Sequence, residues 1–410
     1  MTTPGSALDG GKPILVIAPH LVFPERNGAD ISLERIARFL SNHAQVVDLI
    51  ASDRIRSYKR GEVLSEVPIE NKLRSKGWAT IRCLLFQTHY LLERFNTEAI
   101  REAISSQWSR RDYGTVLMSY MVTLPMLPRP TDRRLLLWTH NDEKKWFSDL
   151  RKFSRNPLRG IVIDQTLRWL DEEVEGLSAG VTFIHVSEND RAAFQRWLPR
   201  NQHLVTSVGT DLGAMALGGG KADSAIILTF IGSLGVKMAE EALIHFRERF
   251  EPELRRSFAA KLQVRIVGSN PTAAIRRLCN LAAWELHADL SDEMLAIRLE
   301  ESLFTILPFP YATGIKLKLV RSLGGGVPFL ATNVTKPANM VFPKGCCFSD
   351  EAADWVATIR EWLSAGDIAK RRAELVAIAT SYSWPNVTAE LAGAISRLPP
   401  SPSEIYAKNG

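Results

Sequence analysis

The stretch from Leu303 to Thr332 limits what this chain can fold into more than any other. Leu303-Phe304-Thr305-Ile306-Leu307 is a short apolar run without polar alternation, the pattern of a strand buried on both faces of a parallel sheet. A proline-rich elbow follows at Pro308 to Pro310. Gly314 then opens a helix whose apolar stripe would be Leu317, Val320 and Leu323. Gly324, Gly325 and Gly326 stop that helix, and Val327-Pro328-Phe329-Leu330-Ala331 reads as the next strand. A strand, a glycine-bearing turn and a helix N-terminus present free backbone N–H groups to an anion. Lys316 and Lys318 fall in the first turn, where the helix dipole favours acids. They either serve a bound phosphate or lie on a solvated face.

The same grammar recurs along the chain. Residues 13–19 form a buried strand that runs into the loop Pro24-Glu25-Arg26-Asn27-Gly28-Ala29-Asp30, then a helix through Leu33, Ile36, Ala37 and Leu40. The loop is not GxGxxG, so a dinucleotide fingerprint is missing, and Gly28 is either a plain turn or faces a ligand. Residues 46–50 are a second strand, followed by a basic loop with Arg54, Arg56, Lys59 and Arg60. A mostly helical region from about 70 to 109 mixes Lys72, Arg74, Lys76 and Arg82 with Trp78, Leu84, Leu85, Phe86 and Leu91. That mixture suits a membrane interface, although its commoner fate is a helix pair packed on its own domain. Strands resume at 115–118 and 135–138. The latter ends in Thr139-His140-Asn141-Asp142-Glu143, which sets His140 at a strand terminus as a ligand contact or a structural histidine. A strand at 181–186 leads to Ser187, a helix cap with an acid at the fourth position. The last strand of this half spans 204–209, and the glycine-rich residues 213–224 read as a linker.

In the second half, a strand at 226–231 ends in Gly232-Ser233-Leu234-Gly235 before Lys237 and a helix. Another strand, closing at Val267, ends at Gly268, and a short one covers 284–290. Helices at 352–363, 368–381 and 386–398 close the chain. Alternating strands and helices with glycines at strand exits predict parallel sheets covered on both faces.

At 410 residues the chain suggests two domains. Its 45% apolar and 23% charged content is that of a folded soluble protein. A net charge of +6 suits anionic membranes, phosphorylated substrates or nucleic acid and selects none of them. The basic residues are scattered rather than interleaved with aromatics, which argues against nucleic acid. Cys83, Cys279, Cys346 and Cys347 have no metal-ligand spacing and fit a reducing compartment. Residues 1–12 lack a signal-peptide pattern, and no apolar run is long enough to span a bilayer. The expectation is a cytoplasmic protein, associated at most peripherally with the inner face of a membrane.

Seven motifs occur in order: Pro24 through Gly28, His140-Asn141-Asp142-Glu143, Val186-Ser187-Glu188-Asn189-Asp190 and Phe230-Ile231-Gly232-Ser233-Leu234, then Ile266-Val267-Gly268-Ser269-Asn270-Pro271, Thr313 through Thr332, and Tyr382-Ser383-Trp384. Their succession resembles the group 1 family of nucleotide-sugar-dependent, retaining glycosyltransferases, in the branch carrying a GTGIK sequence. The resemblance implies an α/β chain of two Rossmann-like domains facing across a cleft, the GT-B fold. The N-terminal acceptor domain would be 1–209 and the C-terminal donor domain 210–384, with a helix at 385–398 packing back on the first domain.

The resemblance also implies roles. His140 would contact the donor sugar near the reacting carbon, and Lys316 would act with it in catalysis. Gly28, Gly232, Ser233, Lys237, Asp289, Leu290, Thr313, Gly314, Ile315, Lys318 and Arg321 would bind the donor. Relatives usually carry a Glu-x7-Glu pair whose second acid holds the ribose; here the positions are Thr313 and Arg321. An arginine cannot accept a hydrogen bond from a ribose diol, though it can pair with a phosphate. The expected partners are a nucleotide sugar and a glycan or glycolipid acceptor, with no metal or other cofactor. Two rival readings are a GT-B relative that has lost turnover and serves as a binding or scaffold subunit, and an epimerase acting on the nucleotide sugar itself.

Overall fold

The computed structural model describes residues 8–25, 28–128, 131–154, 156–211, 225–311, 317–338 and 340–399. The chain divides into two compact units, Met1–Ser207 with Val387–Gly410, and Val208–Asn386. The expected linker at 213–224 lies outside the described residues.

In the first unit, β1 (Ile14–Ile17), α1 (Gly28–Leu40) and β2 (Val47–Ile50) follow one another as expected. Leu33, Ile36, Ala37 and Leu40 are all buried, because a three- and four-residue spacing puts them on one helix face. Next come β3 (Arg54–Lys59), β4 (Glu62–Pro68), α2 (Lys76–Leu85), α3 (Tyr90–Phe95) and α4 (Glu98–Arg110). The unit continues with β5 (Thr115–Ser119), β6 (Arg134–Thr139), α5 (Glu143–Phe153), α6 (Pro157–Leu177), β7 (Val181–His185), α7 (Glu188–Trp197) and β8 (Gln202–Val205).

The expected basic loop at 54–60 is instead β3, half of an antiparallel hairpin with β4. Its charges are tolerated because the hairpin lies at the sheet edge, where Arg54 and Arg56 pair with Glu66 across the strands. The last strand lies at 202–205, earlier than the 204–209 expected. Ser187 caps α7 as read, accepting a bond from the Asp190 N–H at 3.1 Å.

This sheet has the order β4-β3-β2-β1-β5-β6-β7-β8, parallel except for the hairpin. The chain leaves β1 towards β2 on one side and returns to β5 on the other. The sheet reverses between β1 and β5, where open α/β sheets form ligand crevices at the carboxyl ends of their strands.

The second unit runs through β9 (Ile226–Ser233), α8 (Lys237–Arg249), α9 (Glu251–Phe258), β10 (Leu262–Ser269), α10 (Ala273–Ala282) and β11 (Glu285–Ala288). It continues with α11 (Asp292–Glu300), β12 (Phe304–Leu307), α12 (Leu317–Gly324), β13 (Phe329–Ala331) and β14 (Cys347–Phe348). Helices α13 (Ala352–Ser364), α14 (Ile368–Ser381) and α15 (Trp384–Ser396) follow. The order β11-β10-β9-β12-β13-β14 is parallel throughout. Its reversal point is between β9 and β12, the dinucleotide-fold arrangement.

On α12 the buried face is Leu319, Val320, Ser322 and Leu323, while Leu317 of the expected stripe is only half-buried. Ser322 is drawn inward because its hydroxyl bonds both Thr305 of β12 and the Lys318 carbonyl, each at 2.7 Å. The last helix, α15, belongs to the first unit from Val387 onward. Val387, Leu391 and Ile395 are buried, and Arg134 donates to the carbonyls of Ile395 and Pro399.

Candidate active site

In the second unit, β9 and β10 end in register, Gly232 beside Gly268 and Ser233 beside Ser269. The two main chains approach so closely that a Cβ on Gly268 would lie 1.7 Å from the Gly232 carbonyl oxygen. Glycine is the only residue that fits there. The loops leaving these strands are tied together. Leu234 N–H donates to the Ser269 carbonyl at 2.8 Å, Asp289 N–H to the Gly268 carbonyl at 3.0 Å, and Asn270 N–H to the Asp289 carboxylate at 2.8 Å. Asn270 and Asp289 both have positive φ, 52° and 54°, which these two residue types accept more readily than others.

Lys318 of α12 reaches back over this surface. Its ammonium lies 4.8 Å from the ring centroid of Phe230, within β9, and 5.1 Å from that of Phe309, two residues past β12. A Cβ on Gly232 would come within 2.1 Å of that nitrogen. Two ring faces and the bare Gly232 backbone therefore hold a cation at the reversal point of the sheet. The Thr332 hydroxyl bonds the Phe309 carbonyl at 2.7 Å and fixes the exit of β12.

The other expected donor residues are distributed as follows. Lys237, the first residue of α8, pairs with Glu240 at 2.7 Å and is two-thirds exposed. Leu290 packs with Ile231, Val267 and Leu299, and Asp289 is exposed beside it. Arg321 lies on the exposed face of α12, opposite its buried stripe. Thr313, Gly314, Ile315 and Lys316 lie outside the described residues.

In the first unit, a ring cluster occupies the ends of β1, β5 and β6. His20 meets the edge of Tyr120 at 4.7 Å, and His140 lies against Tyr120 at 4.6 Å and His20 at 5.9 Å. His140 Nε2 shares a 2.8 Å hydrogen bond with the buried Ser119 hydroxyl. Burial pushes His20 down to about 3, and burial followed by the nearby His20 lowers His140 well below the ordinary imidazole range. Both rings are neutral at physiological pH. His20 Nε2 stands 3.6 Å from the Asp30 carboxylate, beyond hydrogen-bond reach.

Glu143 opens α5 beneath the cluster and accepts the Met121 N–H at 3.0 Å. Its second oxygen is buried without a hydrogen-bond partner among the described residues. Burial first, with the Asp142 charge adding to it, pushes its carboxyl up to about 7. By gripping Met121, Glu143 fixes the turn that holds Tyr120 at a φ of 65°, which a tyrosine rarely adopts. Gly28 takes the first position of α1, its carbonyl accepting the Ser32 hydroxyl at 2.8 Å. His20, Ser119 and Tyr120 were not read from the sequence. Their signal was position: Ser119 ends β5, Tyr120 directly follows it and His20 lies three residues past β1, on either side of the sheet reversal.

Residues 225–365 match the model of the family described as glycosyl transferases group 1. This stretch is a group 1 glycosyltransferase domain. It contains Gly232, Gly268 and Lys318. Among solved structures, the chain is similar to sucrose-phosphate synthase from Thermosynechococcus elongatus. The TM-score is 0.65 at 14% identity, covering 97% of this chain and 100% of that one. It is also similar to HepE of Anabaena, solved with UDP and glucose (TM-score 0.59, 11% identity, 94% and 100% covered). An E. coli protein solved with UDP-2-fluoro glucose is a third (TM-score 0.57, 11% identity, 95% and 100% covered). The two parallel-sheet units have the GT-B fold of these structures. Among curated proteins, no sequence matches this one.

Proposed function

We propose that the protein transfers a sugar from a nucleoside-diphosphate sugar to a glycan or lipid-linked glycan, with retention of anomeric configuration and without a metal. The observation that carries this reading is the Lys318 ammonium, held over Gly232 at the β9–β12 reversal of a group 1 glycosyltransferase domain. A departing diphosphate gains negative charge in the transition state, and a cation already in place stabilises it without reorganising. The neighbouring structures solved with UDP or a UDP sugar support a uridine or similar donor. In the first unit, the neutral imidazoles of His20 and His140 and the Tyr120 ring suit the uncharged hydroxyls of a sugar, which ask for hydrogen bonds and ring contact rather than charge. Among the described residues no carboxylate pair stands as nucleophile and base, and in this reading the leaving phosphate takes the acceptor proton on the face it departs from. The work is done in the cytoplasm, at the inner face of a membrane.

The test is nucleoside-diphosphate release from a panel of nucleotide sugars, offered with and without glycan acceptors. Release that needs an acceptor, and is lost in Lys318→Ala, is the expected result. A panel in which no donor binds or turns over would leave a scaffold, and product formed without acceptor would mean an epimerase.

A further inference from the structure

Helix α2 has two apolar faces, and only one of them is used. Ala79 and Cys83, four residues apart, are buried, and the Cys83 thiol bonds the Thr88 carbonyl at 3.1 Å. Trp78, Ile81 and Leu85, at the i, i+3 and i+7 positions of a second stripe, point to solvent with relative exposures of 51%, 47% and 70%. Phe86, the helix C-cap, is 57% exposed, and the Arg82 guanidinium lies 4.6 Å from its ring. Three large apolar side chains in contact with water on ten helical residues, with a fourth at the C-cap, are unusual for a surface helix, whose outer face is normally polar.

The charges around the stripe have one sign. Residues 71–87 contain Lys72, Arg74, Lys76 and Arg82 and no acid. Arg74 and Arg82 pair with Glu93 of α3, at 3.5 and 2.6 Å. Lys72 and Lys76 are exposed, with no carboxylate partner among the described residues. They precede the stripe at the start of the helix, where Ser75 caps it by accepting the Trp78 N–H at 3.2 Å.

We propose that this outer face of α2 is a docking surface for an anionic phospholipid bilayer, with Trp78, Ile81, Leu85 and Phe86 entering the acyl boundary and Lys72 and Lys76 meeting the headgroups. At about 15 Å the helix is too short to span a bilayer and lies in its plane. Tryptophan and long cations are the side chains that prefer that depth. A second copy of the chain is the poorer occupant, because a two-fold pairing of this face would bring Lys72 and Lys76 against a like-charged patch. The exposed apolar residues of β4 differ: Val63, Leu64 and Val67 are interspersed with Glu62, Ser65 and Glu66, and the neighbouring Arg54 and Arg56 are paired with Glu66. The inference deepens the membrane location proposed above. Its test uses neither donor nor turnover, so it fails or stands apart from the transferase reading.

The experiment is flotation of the full chain with vesicles of equal parts phosphatidylcholine and phosphatidylglycerol, against phosphatidylcholine alone, at low and high salt. The protein should float with the anionic vesicles and release as salt rises. The combined variant Trp78→Ser, Ile81→Ser, Leu85→Ser should lose on the order of ten-fold or more in partitioning. Lys72→Glu with Lys76→Glu should lose at least about five-fold per lysine. Both variants should keep the wild-type melting temperature, because the altered side chains face solvent. Should the triple variant melt early, Leu85→Ser alone still has to weaken flotation. A wild-type chain that stays in solution, or a triple variant that floats as well as wild type, overturns the proposal. So does a dimer by sedimentation that the triple variant dissolves without any change in flotation.

Discussion

At the carboxyl edge of the first unit's sheet, His20, Tyr120 and His140 pack ring against ring, and burial keeps both imidazoles neutral. The matching edge of the second unit is bare main chain at Gly232 and Gly268, with one ammonium laid across it. Two sheets of the same topological class thus end in opposite chemistry. One is a wall of uncharged donors and rings, the other a cation beside glycine main chain. The contrast teaches that function here resides in what each strand exit carries, because the same sheet reversal creates the crevice in both.

The largest expected effect breaks the second surface. Gly232→Val puts a branched side chain where the Lys318 nitrogen already lies within 2.1 Å of a Cβ position, so the ammonium is expelled. Diphosphate binding should disappear in calorimetry while the far-ultraviolet circular dichroism spectrum stays the same. Retained binding would show that the phosphate sits elsewhere. Next is His140→Ala, which removes a neutral ring from the first surface. Turnover should fall on the order of a hundred-fold, the scale of a lost transition-state contact. Donor affinity measured on the second unit's side should hardly change; a loss confined to melting temperature would make the ring a packing residue.

Glu143 sharpens the comparison through pH. Its folded carboxyl titrates at about 7 against an unfolded value of 4.5, so the unfolded chain releases the proton first. This group therefore withdraws stability as pH rises through that window. His20 works in the opposite sense. With a folded pKa of about 3 against 6.5, it withdraws stability as pH falls from 6.5. Glu143→Gln should flatten the loss of melting temperature between acid and neutral pH; an unaltered slope would contradict a buried, unpartnered carboxyl. The smallest effect is expected from Arg321→Glu. Its side chain is on the exposed face of α12, and donor affinity should shift only a few-fold, about 1 kcal/mol. Equal affinity for every donor before and after would remove Arg321 from the site.

Much of the scaffold was legible because parallel strands are continuous apolar runs and their exits carry glycine. The strands at Ile14, Phe230, Ile266 and Phe304, and the helix face at Leu33, Ile36, Ala37 and Leu40, follow from that alone. The β3–β4 hairpin did not, because charges on an edge strand look like a loop until their cross-strand partner, Glu66, is seen. Lys318 and Gly232 were each legible, but their contact was not, since 86 residues of fold separate them in sequence. His20 and Tyr120 escaped because no local pattern marks them. They become a site only when the β1–β5 pairing brings two strand exits together.

Calorimetric titration of nucleoside diphosphates into the wild-type chain and Lys318→Ala tests most directly whether the second unit grips a diphosphate through Lys318. A diphosphate should bind the wild type, the matching nucleoside should bind far more weakly, and the variant should lose on the order of a hundred-fold in affinity, the value of a hydrogen bond to a charged group. Equal affinities in the two proteins, or no diphosphate bound by either, would contradict that grip.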